Sequence, residues 1–259
     1  LMGTMLNELF WAGHCTPVEL AQIGQYAENV FFGKPCGLMD QTASSVGGVV
    51  AIDFADTTHP VVERLDVDLH ACGYALCILD SGAGHEDLTG EYSAITEELR
   101  AVCRVFGKEV LREVPEEAFL AELPQVRKAA GDRAVNRAFH VYGENRRVRE
   151  EVQALRSGDF QRFLTLVRES GRSSAMYLQN IIPTGSTAAQ ELMVTIALCE
   201  RMLEGRGAVR VHGGGFGGTA QAFVPLDMLD GFRDRVEASL GRGCCHVVRI
   251  RPAGGIRLG

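Results

Sequence analysis

The sequence predicts an α+β protein whose second half follows the order of a ferredoxin-like domain with extra helices. Three observations carry this. Residues 74–80 are a short apolar run ending in Asp80-Ser81-Gly82, as a buried strand does. The stretch that follows, to about residue 203, has helical periodicity through much of its length. The rest reads strand, glycine loop, strand, helix, strand. That is the order β-α-β-β-α-β with surplus helices in the first crossover. One sheet with helices laid on it is an α+β layer arrangement.

The elements follow in chain order. Residues 1–10 read as a helix with apolar residues at 2, 5, 6 and 9 and no capping residue before them. An uncapped start suggests a truncated chain. Thr16-Pro17-Val18-Glu19 is a capping box with proline at the first helical position. Leu20, Ile23, Gly24, Ala27, Val30 and Phe31 then mark one apolar face. Gly33, Pro35 and Gly37 stop that helix. A further helix from about Leu38 ends at Gly47-Gly48, and 49–54 reads as a strand.

Beyond the strand at 74–80, Tyr92, Ile95, Leu99, Val102 and Phe106 mark a helix ending at Gly107. Residues 114–124 contain two prolines and read as a surface connection. A long helix spans about 132–155, and Asp159 caps the next. Thr187 with Gln190 predicts a capping box opening a helix through Leu203. Strands at 208–211 and 219–224, a helix at 226–240 and a strand at 246–250 complete the chain.

Composition excludes several classes. The chain has 259 residues, 46% apolar and 23% charged, which suits one large or two smaller globular domains. A disordered tail, a collagen-like fibre and a coiled-coil rod are all excluded. No window approaches 18 consecutive apolar residues, so no membrane partner is expected. The net charge of −7 argues against nucleic acid as the main partner. The eight cysteines include no C-x-x-C and form no spaced set with histidine. They read as reduced, mostly buried thiols of a cytoplasmic protein.

Three stretches could carry chemistry. In Pro35-Cys36-Gly37-Leu38-Met39-Asp40-Gln41 an acid stands at the head of a helix, where the dipole favours negative charge. By itself this also describes an ordinary N-terminal helix acid. Glu28 lies twelve residues earlier; with Asp40 it could supply a metal ligand and a proton acceptor, and alone it is a solvated or paired acid. Residues 213–218 hold five glycines in six, Gly213, Gly214, Gly215, Gly217 and Gly218. A hairpin needs only one or two glycines, so the excess argues for a ligand, and successive N–H groups in such a loop favour an anion such as phosphate.

Asp80, His85 and Asp87 form a possible metal cluster, though loop acids are usually solvated. His140 and His212 read as ordinary polar residues, and Arg146-Arg147-Val148-Arg149 as a solvated helix face.

Residues 27–41, which include Gly37-Leu38-Met39-Asp40-Gln41, together with the glycine loop at 213–218, resemble the galactokinases of the GHMP kinase superfamily. Glu144-Asn145-Arg146-Arg147-Val148 and Glu169-Ser170 also fall where that family has similar patterns. The resemblance covers essentially the whole chain and is to the C-terminal two-thirds of such a protein; the family's N-terminal sugar motif and its Gly/Ser-rich phosphate loop are absent. It implies a GHMP kinase fold, with 1–68 the remainder of an N-terminal domain and 69–259 the C-terminal domain. It implies ATP-dependent phosphorylation of a sugar at the C1 hydroxyl, galactose to galactose 1-phosphate, with Mg²⁺.

By the same resemblance Asp40 is the catalytic residue, and Gly37, Asp40 and Tyr92 contact the sugar. Glu28 holds the metal, and Gly213, Gly214, Gly215, Gly217 and Gly218 shape the nucleotide site. Residues 81–89 depart from the usual galactokinase stretch, which leaves another hexose or a pentose open as the sugar. The other readings are a non-catalytic sugar sensor or regulator, and an inactive fragment of the kinase. For a truncated chain the exposed first helix implies self-association and weak ATP binding or none.

Overall fold

The structure, a computed structural model, describes residues 1–33, 36–84 and 88–257. The chain divides into two compact units, Leu1–Asp68 with Arg249–Gly259, and Leu69–Val248. The last residues thus pack with the first unit rather than with the domain that precedes them in sequence.

The first unit begins with α1 (Met2–Trp11) and α2 (Pro17–Tyr26). The Thr16 hydroxyl accepts from the Glu19 N–H at 3.2 Å, and the Glu19 carboxylate returns to the Thr16 N–H at 2.7 Å. Both orphan donors of the helix start are thereby met. A π-helical turn at Ala27–Phe31 leads to α3 (Met39–Val46). Strands β1 (Val49–Asp53) and β2 (Val61–Leu65) form an antiparallel pair, Val49 opposite Leu65. The sequence reading had no strand at 61–65 and ran the first one residue too far.

The C-terminal tail reaches this pair: Gly48 N–H donates to the Arg251 carbonyl at 2.7 Å, and Arg64 to that of Pro252. Gly47 is needed there; its φ is +73° and an added Cβ would lie 2.2 Å from the Ala253 carbonyl carbon. The apolar face expected along α2 is not a buried face. Ile23, Val30 and Phe31 are exposed, and Ala21 is the buried residue of α2.

The second unit is built on a four-stranded antiparallel sheet. Its strands are β3 (Tyr74–Asp80), β4 (Ala208–Val211), β5 (Thr219–Pro225) and β6 (Cys245–Val248), in the order β4-β5-β3-β6. That is the ferredoxin-like order, and the expected α+β class holds. The last strand ends at Val248, two residues short of the expectation. Among the described residues six α-helices fill the first crossover: α4 (Thr89–Val105), α5 (Glu116–Ala121), α6 (Leu123–Ala130), α7 (Asp132–Arg156), α8 (Phe160–Ser173) and α9 (Glu191–Leu203). The helix α10 (Leu229–Leu240) joins β5 to β6 after a short 3₁₀ turn.

Strand alternation sends side chains to opposite faces of the sheet. Cys77, Leu79, Val209, Ala222 and Val224 pack against α9 and α10 through Leu192, Cys199, Phe232 and Val236. Leu76, Ala208 and Phe223 face the other way, onto Phe160, Leu164 and Val167 of α8. The crossover helices have their own core around Val102, Phe119, Val126 and Ala138.

Three expectations are corrected here. Residues 114–124 are not a surface connection, because Val114 and Phe119 are buried core and Tyr142 donates to the Val114 carbonyl at 2.9 Å. No capping box opens at Thr187; α9 starts at Glu191 and its N-cap Gln190 makes no side-chain cap bond. Arg147 is not solvated: its side chain is largely buried and paired with Glu144, while Arg146 pairs with Glu116. No helix among the described residues is long and apolar enough to cross a membrane.

Candidate functional site

In the first unit the site residues lie on one local frame. Asp40 is exposed in the first turn of α3, and Glu28 is half-buried in the π-helical turn that ends α2. Helices α2 and α3 pack together. Side chains from the α2 side hold the connection between them. Asn29 Oδ1 accepts from the Cys36 N–H at 2.8 Å, and Gln25 donates to the Cys36 carbonyl at 3.2 Å. Gln41, beside Asp40, donates to Cys36 Sγ at 3.4 Å. Cys36, the residue before Gly37, is thereby held by three side chains, and Gly37 has open space where a side chain would be. Sequence reasoning named Glu28, Gly37 and Asp40 but missed Gln25 and Asn29, whose role is visible only once the chain folds back. Lys34 and Pro35 lie outside the described residues.

In the second unit the glycine loop joins β4 to β5, and its carbonyls are claimed from three directions. Asn180 Nδ2 donates to the Gly214 carbonyl at 3.1 Å, and the Tyr92 hydroxyl to that of Gly215 at 2.8 Å. Ser81 donates to the Gly218 carbonyl from its N–H at 3.0 Å and its hydroxyl at 2.6 Å. The Phe216 N–H turns inward to the Asn180 carbonyl at 2.5 Å. The N–H groups of Gly213, Gly214, Gly215, Gly217 and Gly218 have no hydrogen-bond partner among the described residues.

Packing gives part of the reason for so many glycines. A Cβ on Gly215, whose φ is +87°, would sit 1.9 Å from the Asn180 carbonyl oxygen, and one on Gly214 would sit 2.5 Å from the Tyr92 ring. The glycine count at these two positions needs no ligand to explain it. Burial raises the Tyr92 phenol above its ordinary value, so it stays a donor.

The remaining candidates within the described residues make local contacts. Asp80 Oδ1 accepts from the Gly82 N–H at 2.9 Å, and His85 and Asp87 lie outside the described residues. His140 is buried, bonded to the Ser173 hydroxyl at 2.9 Å, and lowered to about 4 by burial and by Arg210 and Arg147 nearby, so it is neutral. His212 contacts the Thr219 hydroxyl at 3.0 Å. Glu144 and Ser170, from two stretches that the sequence singled out separately, meet at 2.7 Å. Among the described residues no group of three or more His, Cys, Asp or Glu could hold a metal ion.

Residues 1–48 match the family described as GHMP kinases N terminal domain. The galactokinase of Glaesserella parasuis serovar 5 (strain SH0165) is 34% identical over 218 residues, 83% of this chain and 53% of that protein. The galactokinase of Thermotoga neapolitana is 36% identical over 235 residues, 88% of this chain and 62% of that protein. The crystal structure of Lactococcus lactis galactokinase complexed with galactose aligns over 99% of this chain and 64% of that one, with TM-score 0.74 and 25% identity.

The chain is similar in sequence to galactokinases and has the GHMP kinase fold.

It spans a little over half the length of the curated galactokinases that it matches. The crystal structure of L. major mevalonate kinase in complex with R-mevalonate, 16% identical with TM-score 0.59, shares the fold alone. In galactokinase-like terms, the matched N-terminal family segment holds Glu28, Gly37 and Asp40, and the ferredoxin-like unit holds Tyr92 and the glycine loop.

Proposed function

We propose that the protein is an ATP-dependent sugar kinase that phosphorylates the C1 hydroxyl of galactose or a closely similar sugar. The observation that carries this reading is Asp40, an exposed carboxylate at the head of α3 in a segment anchored by Asn29 and Gln25, in a chain related to galactokinases. In the proposed reaction Asp40 orients the C1 hydroxyl and takes its proton. The C1 oxygen forms its bond to the γ-phosphorus while the bond to the bridging oxygen breaks, releasing ADP. Phosphoryl transfer needs positioning and charge neutralisation more than covalent help.

The glycine N–H groups of the loop, which have no partner among the described residues, suit the negative charge of phosphate oxygens. A magnesium ion, when bound, would neutralise charge on the phosphate oxygens of ATP. Mg²⁺ is commonly held by one or two carboxylates plus substrate phosphates, and Glu28 offers a half-buried carboxylate of that kind. The direct test incubates the full-length protein with MgATP and galactose and detects galactose 1-phosphate. Absence of any sugar phosphate across hexoses and pentoses overturns the reading. The eight free cysteines support a cytoplasmic location.

Replacing Tyr92 by Phe is expected to raise the KM for a sugar bearing the matched hydroxyl more than for its deoxy analogue. The phenol donates to Gly215 and still has a lone pair with which to accept from a sugar. A site that reads a hydroxyl discriminates because its polar group is otherwise left unpaired. An equal effect on both sugars assigns the phenol to the loop alone.

This chain is also expected to self-associate. Met2, Leu9, Phe10 and Trp11 of α1 are exposed, with Val30, Phe31 and Phe32 exposed in the same unit. Among the described residues β1 and β2 form a sheet only with each other. Such exposed apolar surface favours association. Light scattering over a concentration series checks this, and a monomer throughout overturns it.

A further inference from the structure

We propose that Asn180 is a positioning residue that sets the conformation of the glycine loop for phosphoryl transfer; its catalytic part rests on the sugar-kinase reading. Asn180 meets the loop twice. Its carbonyl accepts from the Phe216 N–H at 2.5 Å, and its side-chain amide donates to the Gly214 carbonyl at 3.1 Å. It is almost fully buried, and its Oδ1 has no partner among the described residues. An orphaned buried acceptor is costly. A residue placed only to fill space could be apolar there, so the amide is retained for the one bond that it makes.

The loop held by Asn180 is strained. Phe216 is a buried aromatic residue with φ +58°, a left-handed conformation that non-glycine residues rarely adopt. Strain of this kind persists where the surroundings over-determine it, and it gathers at functional loops. Here the surroundings are the Asn180 carbonyl and the edge-on ring of Tyr92, 5.5 Å from that of Phe216.

Asn180 is in turn held by the segment around it. Gln179 has φ +58°. Arg137, whose side chain is fully buried, donates to the Leu178 carbonyl at 3.1 Å and to Glu98 at 2.9 Å. At the other end Glu91 accepts from the Thr184 N–H at 2.7 Å, and Arg133 donates to the Thr184 hydroxyl at 3.0 Å. Residues 178–184 therefore form a brace tied to α4 and α7, with Asn180 at its point of contact with the loop. Turning the Gly214 and Gly215 carbonyls inward leaves neighbouring N–H groups for a phosphate. Positional errors of about 1 Å at such a site cost on the order of a hundredfold in rate.

The test uses Asn180→Ala in the full-length protein, with Asn180→Ser as a variant that keeps a short donor. Three quantities are read: thermal unfolding, deuterium uptake at 213–218, and kcat and KM for galactose with MgATP. Asn180→Ala should exchange faster at the loop and lose roughly ten- to a hundredfold in kcat, with the KM for galactose nearly unchanged. Asn180→Ser should recover part of both. If Asn180→Ala does not fold, the same comparison is read from Asn180→Ser against wild type. Unchanged exchange at the loop overturns the proposal, as does faster exchange with an unchanged kcat. A wild-type protein that phosphorylates no sugar overturns the kinase reading instead, and loop exchange alone then decides whether Asn180 sets the loop.

Discussion

Asp40→Asn is expected to reduce sugar phosphorylation on the order of a hundredfold or more while leaving the fold unchanged. The argument separates chemistry from structure. Asp40 is exposed in the first turn of α3, and no side-chain cap bond is made at the N-cap Leu38, so no capping bond is lost with the carboxylate. Asn is nearly isosteric and is itself well suited to helix starts. The substitution removes the group proposed to take the C1 proton, and a positioned acid or base contributes about a hundred- to ten-thousandfold. Steady-state rates for the purified variant, with its unfolding temperature beside that of wild type, make the test. A cooperative, unshifted transition with near-normal turnover removes Asp40 from the chemistry.

Glu98→Ala is expected to destabilise the second unit by about 3–5 kcal/mol, because it leaves a buried guanidinium without its counter-charge. Arg137 is fully buried and pairs with Glu98 at 2.9 Å. Its Nη2 already lacks a partner among the described residues. Glu98 also takes two bonds from Arg133, at 2.8 and 2.5 Å. At two to four degrees per kcal/mol for a unit of this size, the unfolding temperature should fall by on the order of 10 °C. Circular dichroism melts measure it. The double replacement Glu98→Leu with Arg137→Met should lose less than Glu98→Ala, since apolar substitutes for a whole buried pair are often neutral. A double variant less stable than Glu98→Ala overturns the account.

Local signals in the chain determined much of this protein. The Thr16–Glu19 capping box acts within four residues, so sequence alone reveals it. The ferredoxin-like order was legible because strand and helix periods differ and the strands occur in the right succession, and the sheet has the matching β4-β5-β3-β6 arrangement. The stretch from Gly37 to Gln41 and the glycine loop carried the likeness to galactokinases, because their residues are contiguous.

Contacts between distant residues were decided only in three dimensions. The strand at 61–65 was missed because its pairing with β1 is what identifies it. The prolines of 114–124 suggested a surface loop, yet Pro124 falls in the first turn of α6, where the missing N–H costs nothing, and Phe119 enters the core. The apolar face of α2 was a correct pattern with a wrong consequence, since periodicity states which residues share a face and not whether anything covers it. The tail at Arg249–Gly259 returned to the first unit through bonds to Gly48 and Arg64, roughly two hundred residues away in sequence. Asn180 carried no signal at all: a residue whose side-chain amide donates to the Gly214 carbonyl and whose own carbonyl accepts from the Phe216 N–H acquires meaning only when residues 178–184 are laid against 213–218, because hydrogen bonds depend on where atoms end up and not on their order in the chain.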